Sequence, residues 1–290
     1  MRYFIITILA GFLYSLMSVF IKMAYAYANE PTITFFRFFS ALAMLVPIYF
    51  VTGRPKIKTS VPLLHLLRGF FGFLMFTLYT ISLQFIPVEN ALALNSTYPF
   101  FIPLILFLFF KEKIAKHVLL GVFVGFVGVY ITINPTASGY LNVASMFALL
   151  SAVCSAASNV TIRTLRRTES SFSIVFYFFL FSTVISFFYM ISNDQYFDMK
   201  GIWLLLGIAF TSVASQQCLS YVLKYLHPNM VSSLMYSSVI FGFLFSWLFW
   251  GKVPNGMQLI GMLLIIVGGL IIFERHQIVL KQSLKNISEN

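Results

Sequence analysis

The sequence predicts an all-α membrane protein whose ten transmembrane helices form two inverted repeats of five helices each. Three observations lead to this fold class. Of the 290 residues, 60% are hydrophobic and 9% are charged, whereas an ordinary soluble domain carries about 25% charged residues. The apolar residues fall into ten runs, each long enough to cross a bilayer. The second half of the chain repeats the pattern of the first half.

The ten predicted spans follow from length alone, because a bilayer core of about 30 Å needs a helix of roughly 20 apolar residues. The connections between them are short, and several contain the proline and glycine residues that form turns. This leaves no room for a separate soluble domain. The predicted spans cover residues 3–24, 32–51, 63–85, 89–110, 117–134, 140–163, 171–191, 200–223, 229–250 and 256–273.

The orientation in the membrane follows from the lysines and arginines, which accumulate in cytoplasmic loops. The chain has 19 of them. With a cytoplasmic N-terminus, 15 lie on the inner side, three (Lys22, Lys200 and Lys252) on the outer side, and Arg37 within a span. We therefore expect a multi-pass protein of the cell inner membrane with both termini in the cytoplasm. The formal charge of +11 does not indicate nucleic-acid binding, because the charges lie in short gaps between apolar runs.

An internal repeat appears at an offset of 140 to 141 residues. Because each half has an odd number of spans, the two halves must cross the membrane with opposite orientation, as in inverted-repeat transporters. We assign residues 1–136 to the first repeat, 137–273 to the second and 274–290 to a cytoplasmic tail. The matching positions are Lys22 with Arg163, Ser18 with Asn159, Phe110 with Trp250, Gly121 with Gly261, and Gly128 with Gly268.

Arg37 is the full charge in the second span. An arginine within a bilayer costs about 2.5 to 3.5 kcal/mol on insertion scales, and it almost always faces a protein interior or a wet cavity. We interpret Arg37 as part of a cavity or gate. The alternative is a structural arginine near the helix end that extends to the interface.

Further candidates for substrate binding are large polar side chains at mid-membrane depth, where packing alone does not explain them. Serines at helical spacing accompany them, but such serines more often join helices through hydrogen bonds of roughly 0.6 kcal/mol. The predicted substrate-binding residues are Arg37, Asn95, Tyr98, Asn159, Gln216 and Tyr236.

A second group is predicted to serve gating or helix packing. Pro99 and Pro103 interrupt the fourth span, either freeing carbonyl groups toward a cavity or only bending the helix. The glycines at four-residue spacing allow close helix contact, which we assign to internal packing, with a homodimer seam as the alternative. The group consists of Ser18, Lys22, Pro99, Gly121, Gly125 and Gly261.

Other functional classes lack support in the sequence. Cys154 and Cys218 lie within predicted spans without metal-ligand spacing, and the motifs of hydrolases, zinc proteases and phosphate-binding loops do not occur. We therefore expect no metal, no cofactor and no enzymatic activity. Glu89 and Glu112 fall at span ends, which disfavours a proton relay through buried carboxylates.

The chain contains the motifs Phe36-Arg37-Phe38, Leu67-Arg68-Gly69, Tyr98-Pro99 and the run from Leu108 to Glu112, with Gly121, Gly125 and Gly128. Over essentially the whole chain, these motifs resemble the drug/metabolite transporter superfamily in its EamA branch of ten-helix proteins. The run from Thr34 to Phe39, together with His65 to Gly69, is similar to S-adenosylmethionine uptake carriers of intracellular bacteria. The second half departs from the family pattern, with Val239 and Lys252 where proline and an acidic residue are usual.

The resemblance implies an alternating-access transporter of a small organic metabolite, with S-adenosylmethionine uptake as the first hypothesis. Arg37 would hold the carboxylate, and the rings of Tyr98 or Tyr236 would receive the cation. Export of an amino acid or drug-like metabolite is the second hypothesis. A non-transporting assembly protein, an intramembrane enzyme and a passive channel are the alternatives from other classes.

Overall fold

The computed structural model describes residues 2–51, 53, 57–111, 116–133, 143–223, 225–226, 231, 234–253, 255–268 and 270–271, and these are helical apart from short connections. Eleven helices are named here within those residues. They are α1 (Arg2–Ala24), α2 (Glu30–Val51), α3 (Pro62–Phe85), α4 (Val88–Asn95), α5 (Tyr98–Phe110), α6 (Lys116–Ile133), α7 (Val143–Leu165), α8 (Ser171–Ile191), α9 (Ile202–Val222), α10 (Ser237–Trp250) and α11 (Gly256–Gly268).

Seven helical segments among the described residues are long and apolar enough to cross a membrane. They correspond to α1, α2, α3, α4 with α5, α7, α8 and α9, and they confirm an all-helical, multi-pass membrane protein. The other three predicted spans coincide with shorter apolar helices, Val118–Gly128, Ser237–Trp250 and Gly256–Gly268. The full count of ten spans stays a prediction. The predicted tail, 274–290, lies outside the described residues.

The fourth predicted span is not one continuous helix. α4 ends at Asn95 and α5 begins at Tyr98, so Ser96 and Thr97 form a break in mid-span. Pro99 lies in the first turn of α5, where a missing N–H leaves no helical hydrogen bond unmade. A second break precedes α10, where Tyr236 forms a turn between helical residues.

Loops from the two halves of the chain meet at both ends of the bundle. At the end opposite Arg2, called the far face here, Ala28 forms an antiparallel bridge with Phe197. The amide of Asp198 donates to the carbonyl oxygen of Tyr27 at 2.7 Å. At the end near Arg2, called the N-terminal face, the Thr59 hydroxyl donates to Glu169 at 2.6 Å.

The long helices pack in pairs drawn from opposite halves of the chain: α1 lies along α9, α3 along α7, and α2 against α8. α6 and α11 meet along their glycines. A Cβ atom at Gly128 would lie 2.6 Å from the carbonyl oxygen of Gly261, and one at Gly268 would lie 2.6 Å from that of Gly121. Both distances are far below van der Waals contact, so only glycine allows this approach. The small residues of these helices therefore pack within the chain.

Candidate functional site

The Arg37 side chain is buried in the centre of an aromatic cluster. Its exposed fraction is 2%, and its guanidinium carbon lies 3.6 Å from the Phe76 ring centroid, 4.5 Å from that of Phe38 and 6.0 Å from that of Phe179. Each such cation–π contact stabilises by about 0.5 to 2 kcal/mol. The buried Nε and Nη1 atoms of Arg37 have no hydrogen-bond partner. The side chain therefore points inward and does not extend to the interface.

Arg68 is a second arginine in the same cluster. It is 4% exposed, and its guanidinium carbon lies 3.9 Å from the centroid of the Phe178 ring. Nη1 donates to the Ser158 hydroxyl at 2.6 Å and Nη2 to Oε1 of Gln216 at 3.4 Å, whereas the buried Nε has no partner. Arg68 is one of the 15 basic residues that the sequence prediction put on the cytoplasmic side. The charge-in-a-span argument used for Arg37 would have identified it, because it lies in the second turn of α3.

Tyr14, Asn95 and Ser151 form a hydrogen-bonded chain that joins α1, α4 and α7. The Tyr14 hydroxyl donates to Oδ1 of Asn95 at 3.0 Å, and Nδ2 of Asn95 donates to the Ser151 hydroxyl at 2.8 Å. Asn95 is 4% exposed and is the last residue of α4, directly before the helix break. The predicted residue Asn95 thus lies at the point where α4 ends.

Ser18 and Tyr79 extend this network by one turn of α1. Their hydroxyl oxygens share a hydrogen bond of 2.8 Å, and the Tyr79 ring stacks on the Tyr14 ring at a centroid distance of 5.7 Å. Tyr14 and Tyr79 were not predicted from the sequence. Both tyrosines lie in apolar runs where aromatic residues are common, and only the packing of α1 on α3 brings their hydroxyl groups together.

Tyr98 and Tyr236 lie at the two helix breaks. Tyr98 is the first residue of α5, and it is close enough to both Tyr14 and Tyr236 for their phenol groups to interact electrostatically. Tyr236 is 3% exposed, and its buried hydroxyl has no hydrogen-bond partner. A buried, unpaired hydroxyl beside a helix break is an available donor and acceptor for a ligand.

The other predicted site residues make contacts of different kinds. Nδ2 of Asn159 donates to the Ser155 carbonyl in its own helix at 2.8 Å, away from the network of Asn95. Nζ of Lys22 donates to the carbonyl oxygens of Leu83 and Ile86 at 2.7 Å each, and so caps the end of α3. A Cβ atom at Gly125 would collide with the Phe100 ring.

Two carboxylates near the far face are more deeply buried than the predicted span boundaries indicated. α2 begins at Glu30, two residues before the predicted start, and Glu30 is 7% exposed. It accepts hydrogen bonds from Thr34 at 2.6 Å and from Tyr189 at 2.7 Å. Glu89, in the first turn of α4, is 4% exposed and accepts from Ser246. Hydroxyl groups, not arginines, are therefore the hydrogen-bond partners of these two carboxylates.

Both halves of the chain match a known protein family. The model of the EamA-like transporter family matches residues 1–134 and again residues 142–274. The chain is 31% identical to a pseudopaline exporter of Pseudomonas aeruginosa over 267 residues, which cover 91% of this chain and 93% of that protein.

Other relatives are similar over shorter stretches. An S-adenosylmethionine uptake transporter of Rickettsia bellii is 31% identical over 154 residues, 53% of each chain. A riboflavin transporter of Brucella anthropi is 28% identical over 183 residues, which cover 63% of this chain and 60% of that one. One solved crystal structure superposes with a TM-score of 0.70 over 95% of this chain and 98% of that chain, at 16% identity, and so shares the fold. The family model matches both halves of the chain, and the pseudopaline exporter is similar over almost its whole length. The chain therefore belongs to the EamA-like transporter family.

Proposed function

We propose that this chain is an alternating-access carrier of a small organic metabolite, with a central site between two five-helix halves of opposite orientation. The observation that carries the proposal is Arg37. It is buried in the membrane-spanning region, over three phenylalanine rings, with two nitrogen atoms that lack a partner. Burying an ion costs several kcal/mol, and an anionic group of a substrate would offset this cost.

The inverted arrangement is supported by contacts that recur at the repeat offset. The same 140 residues that separate Gly121 from Gly261 also separate Gly128 from Gly268. The close approach of Gly128 to Gly261 thus has the approach of Gly268 to Gly121 as its counterpart. A two-fold axis in the membrane plane would relate the two contacts in this way.

The helix breaks support a binding site at the centre of the bundle. The 140-residue offset carries Ser96, in the break before α5, onto Tyr236, in the break before α10. Interrupted spans at corresponding positions of two inverted halves are where transporters of this architecture bind their substrates. The hydroxyl and amide groups of Tyr14, Asn95 and Tyr236 lie at or beside these breaks.

Alternating access is supported by the loop contacts at both faces. Tyr27 and Ala28, from the first half, meet residues 197–198 from the second half at the far face. Thr59, from the first half, meets Glu169 from the second half at the N-terminal face. If the loop contacts at one face separate while those at the other face stay closed, the centre opens to one side of the membrane at a time.

Two substrate classes follow from the site and the relatives. S-adenosylmethionine, with a carboxylate, an ammonium and a sulfonium group, is the first candidate for uptake, with its cation against the ring of Tyr98 or Tyr236. A membrane potential of 100 mV contributes about 2.3 kcal/mol per positive charge moved inward. Export of an amino-acid-like or drug-like metabolite is the second candidate, and the full-length relative is named as an exporter. We place the protein in the cell inner membrane with cytoplasmic termini.

Flux into proteoliposomes of the purified protein tests the proposal. We expect the initial rate of labelled S-adenosylmethionine or amino-acid uptake to saturate with concentration and to fall when unlabelled substrate competes. Liposomes without protein are the control. Flux that rises linearly without saturation would indicate a channel. Failure of every tested metabolite to cross, with folded protein in the membrane, would favour a non-transporting membrane protein.

A further inference from the structure

Arg68 has no role in the transport proposal above, although its side chain is nearly as buried as that of Arg37. Its partners come from the second half of the chain: Ser158 on α7, Phe178 on α8 and Gln216 on α9. Arg37 likewise contacts the second half through Phe179. Both guanidinium groups thus lie between the two halves, where a central substrate would pass.

The surroundings of the two arginines correspond to each other through the repeat offset. Arg37 lies over the rings of Phe38 and Phe76. Adding 140 to these positions gives Phe178, on which Arg68 stacks, and Gln216, to which Arg68 donates a hydrogen bond. Arg37 and Arg68 are not themselves related by this offset. Equivalent positions of the two halves therefore each receive one guanidinium group.

The positive charge of this pair is not compensated by carboxylates. Among the described residues, neither arginine forms an ion pair, and Glu30 and Glu89 are bonded to hydroxyl groups near the far face. The two arginines share one aromatic cluster, since the Phe38 and Phe178 rings contact each other at a centroid distance of 5.7 Å. Two like charges in such surroundings repel each other as well as being desolvated. Two anionic groups would remove both costs.

Arg68 is also held in position in a way that suits ligand binding. Ser158 and Gln216 orient Nη1 and Nη2, whereas Nε is buried and unpartnered. Gly72 provides the space for the guanidinium group, because a Cβ atom there would collide with Nη1 of Arg68 and with the Phe178 ring. A planar donor group fixed on one edge and unpaired on another is suited to recognise a carboxylate.

Resting on the proposed transport function, we propose that the substrate carries two acidic groups, one bound at Arg37 and the other at Arg68. The ligand class is a small organic diacid or an amino-acid derivative with a second carboxylate. S-adenosylmethionine would occupy only one of the two positions. The inference therefore selects acidic metabolites from the classes considered above.

A ligand series of defined charge and length tests the inference on the purified full-length protein. The probes are straight-chain dicarboxylates from succinate to pimelate and the monocarboxylates of the same carbon number, measured by thermal shift and equilibrium binding. A ligand that binds the folded state raises its apparent stability. We expect at least one dicarboxylate to bind about tenfold or more tightly than the matching monocarboxylate, because the second carboxylate adds charge-assisted hydrogen bonds.

Variants assign the second carboxylate to Arg68. We expect Arg68→Gln to reduce dicarboxylate affinity to about that of the monocarboxylate. Gly72→Ala, which keeps the charge but displaces the guanidinium group, should act in the same direction if Arg68→Gln does not fold. Arg167→Gln, at an exposed arginine, is the matched control and should retain the wild-type preference.

Three results would overturn the inference: equal binding of mono- and dicarboxylates, an unchanged preference in folded Arg68→Gln and Gly72→Ala, or no shift with any dicarboxylate. Saturable flux of a metabolite with a single acidic group, together with any of these, would leave the transport proposal standing. Dicarboxylate binding without flux would contradict the transport proposal but not the proposal that the site binds two acidic groups.

Discussion

The guanidinium carbon of Arg37 lies 3.6 Å from the centroid of the Phe76 ring, a contact between α2 and α3. The ring face attracts the cation without neutralising its charge. This contact therefore holds Arg37 in place and leaves its Nε and Nη1 atoms without hydrogen-bond partners. A binding site needs both properties, a fixed position and unused donors.

The first prediction concerns the shape of the Arg37 side chain. Arg37→Lys keeps the positive charge but loses the planar group that donates two parallel hydrogen bonds to a carboxylate. We expect uptake in proteoliposomes to fall at least about tenfold in Arg37→Lys and to be abolished in Arg37→Ala. Exposed Arg167 offers the control pair, Arg167→Lys and Arg167→Ala. Unchanged uptake in Arg37→Ala would remove this arginine from the mechanism.

The second prediction concerns the chain from Tyr14 through Asn95 to Ser151. Asn95→Ala removes the acceptor for Tyr14 and the donor to Ser151, and it leaves a buried phenol unpaired. We expect the KM for transport to rise about 5- to 150-fold, since loss of a buried hydrogen-bonding group from the site costs about 1–3 kcal/mol and each 1.4 kcal/mol is a factor of ten. Asn193→Ala is the control, because Asn193 is exposed and its side chain donates to the Tyr189 carbonyl, away from the site. If the two substitutions changed KM equally, Asn95 would not be part of the substrate site.

The third prediction concerns the glycine contacts between α6 and α11. Gly128→Ala places a methyl group 2.6 Å from the Gly261 carbonyl oxygen and 2.7 Å from the Ile265 nitrogen. The backbones must separate, and we expect a loss of about 1–3 kcal/mol in stability, visible as a lower unfolding temperature. Gly268→Ala should have a similar effect at the corresponding contact. Gly256→Ala is the control and should not lower the unfolding temperature, because a Cβ atom at Gly256 meets nothing within 4 Å. A comparable drop in Gly256→Ala would show that the loss in Gly128→Ala does not come from the glycine contact.

The fourth prediction concerns Lys22, which caps α3. Lys22→Met removes two hydrogen bonds to the carbonyl oxygens of Leu83 and Ile86 but keeps most of the apolar length of the side chain. We expect the unfolding temperature to fall, at a cost of about 1.5–3 kcal/mol for hydrogen bonds from a charged donor. Lys200→Met, at an exposed lysine, should leave that temperature unchanged. Stability equal to the wild type in Lys22→Met would mean that other groups cap the helix.

Much of the fold follows from the sequence because the bilayer imposes a strict rule on it. A membrane-spanning backbone must satisfy its own hydrogen bonds, and apolar runs such as residues 3–24 and 171–191 therefore predict helices with accurate boundaries. The break at Ser96 and Thr97 was located only approximately, from Pro99 and Pro103. The predicted start of the second span lies two residues after Glu30, because a carboxylate in the sequence indicates a loop. The hydrogen bonds from Thr34 and Tyr189 that allow Glu30 to be buried depend on the fold.

The candidate site was less accessible to sequence reasoning. Arg37, Asn95, Tyr98 and Tyr236 stand out because large polar groups are rare in apolar runs. The contribution of Tyr14 and Tyr79 depends on the approach of α1 to α3, which the sequence pattern does not specify. Arg68 lies within the predicted span 63–85, but it was counted with the cytoplasmic charges because it is close to the end of that span.

The central claim is that a site between the two halves opens to one face at a time. Access to this site can be measured at a cysteine introduced as Ser151→Cys, next to Asn95. Cys154 and Cys218 are first replaced by alanine so that they do not react. In this background, Ala28→Cys with Phe197→Cys allows the far face to be cross-linked, and Thr59→Cys with Glu169→Cys does the same for the N-terminal face.

With the far face locked, we predict that a membrane-impermeant maleimide labels position 151 only from the N-terminal face. With the N-terminal face locked, labelling should occur only from the far face, and reduction of either cross-link should restore transport. Labelling from one face regardless of which lock is closed, or transport that continues with either face locked, would contradict the account.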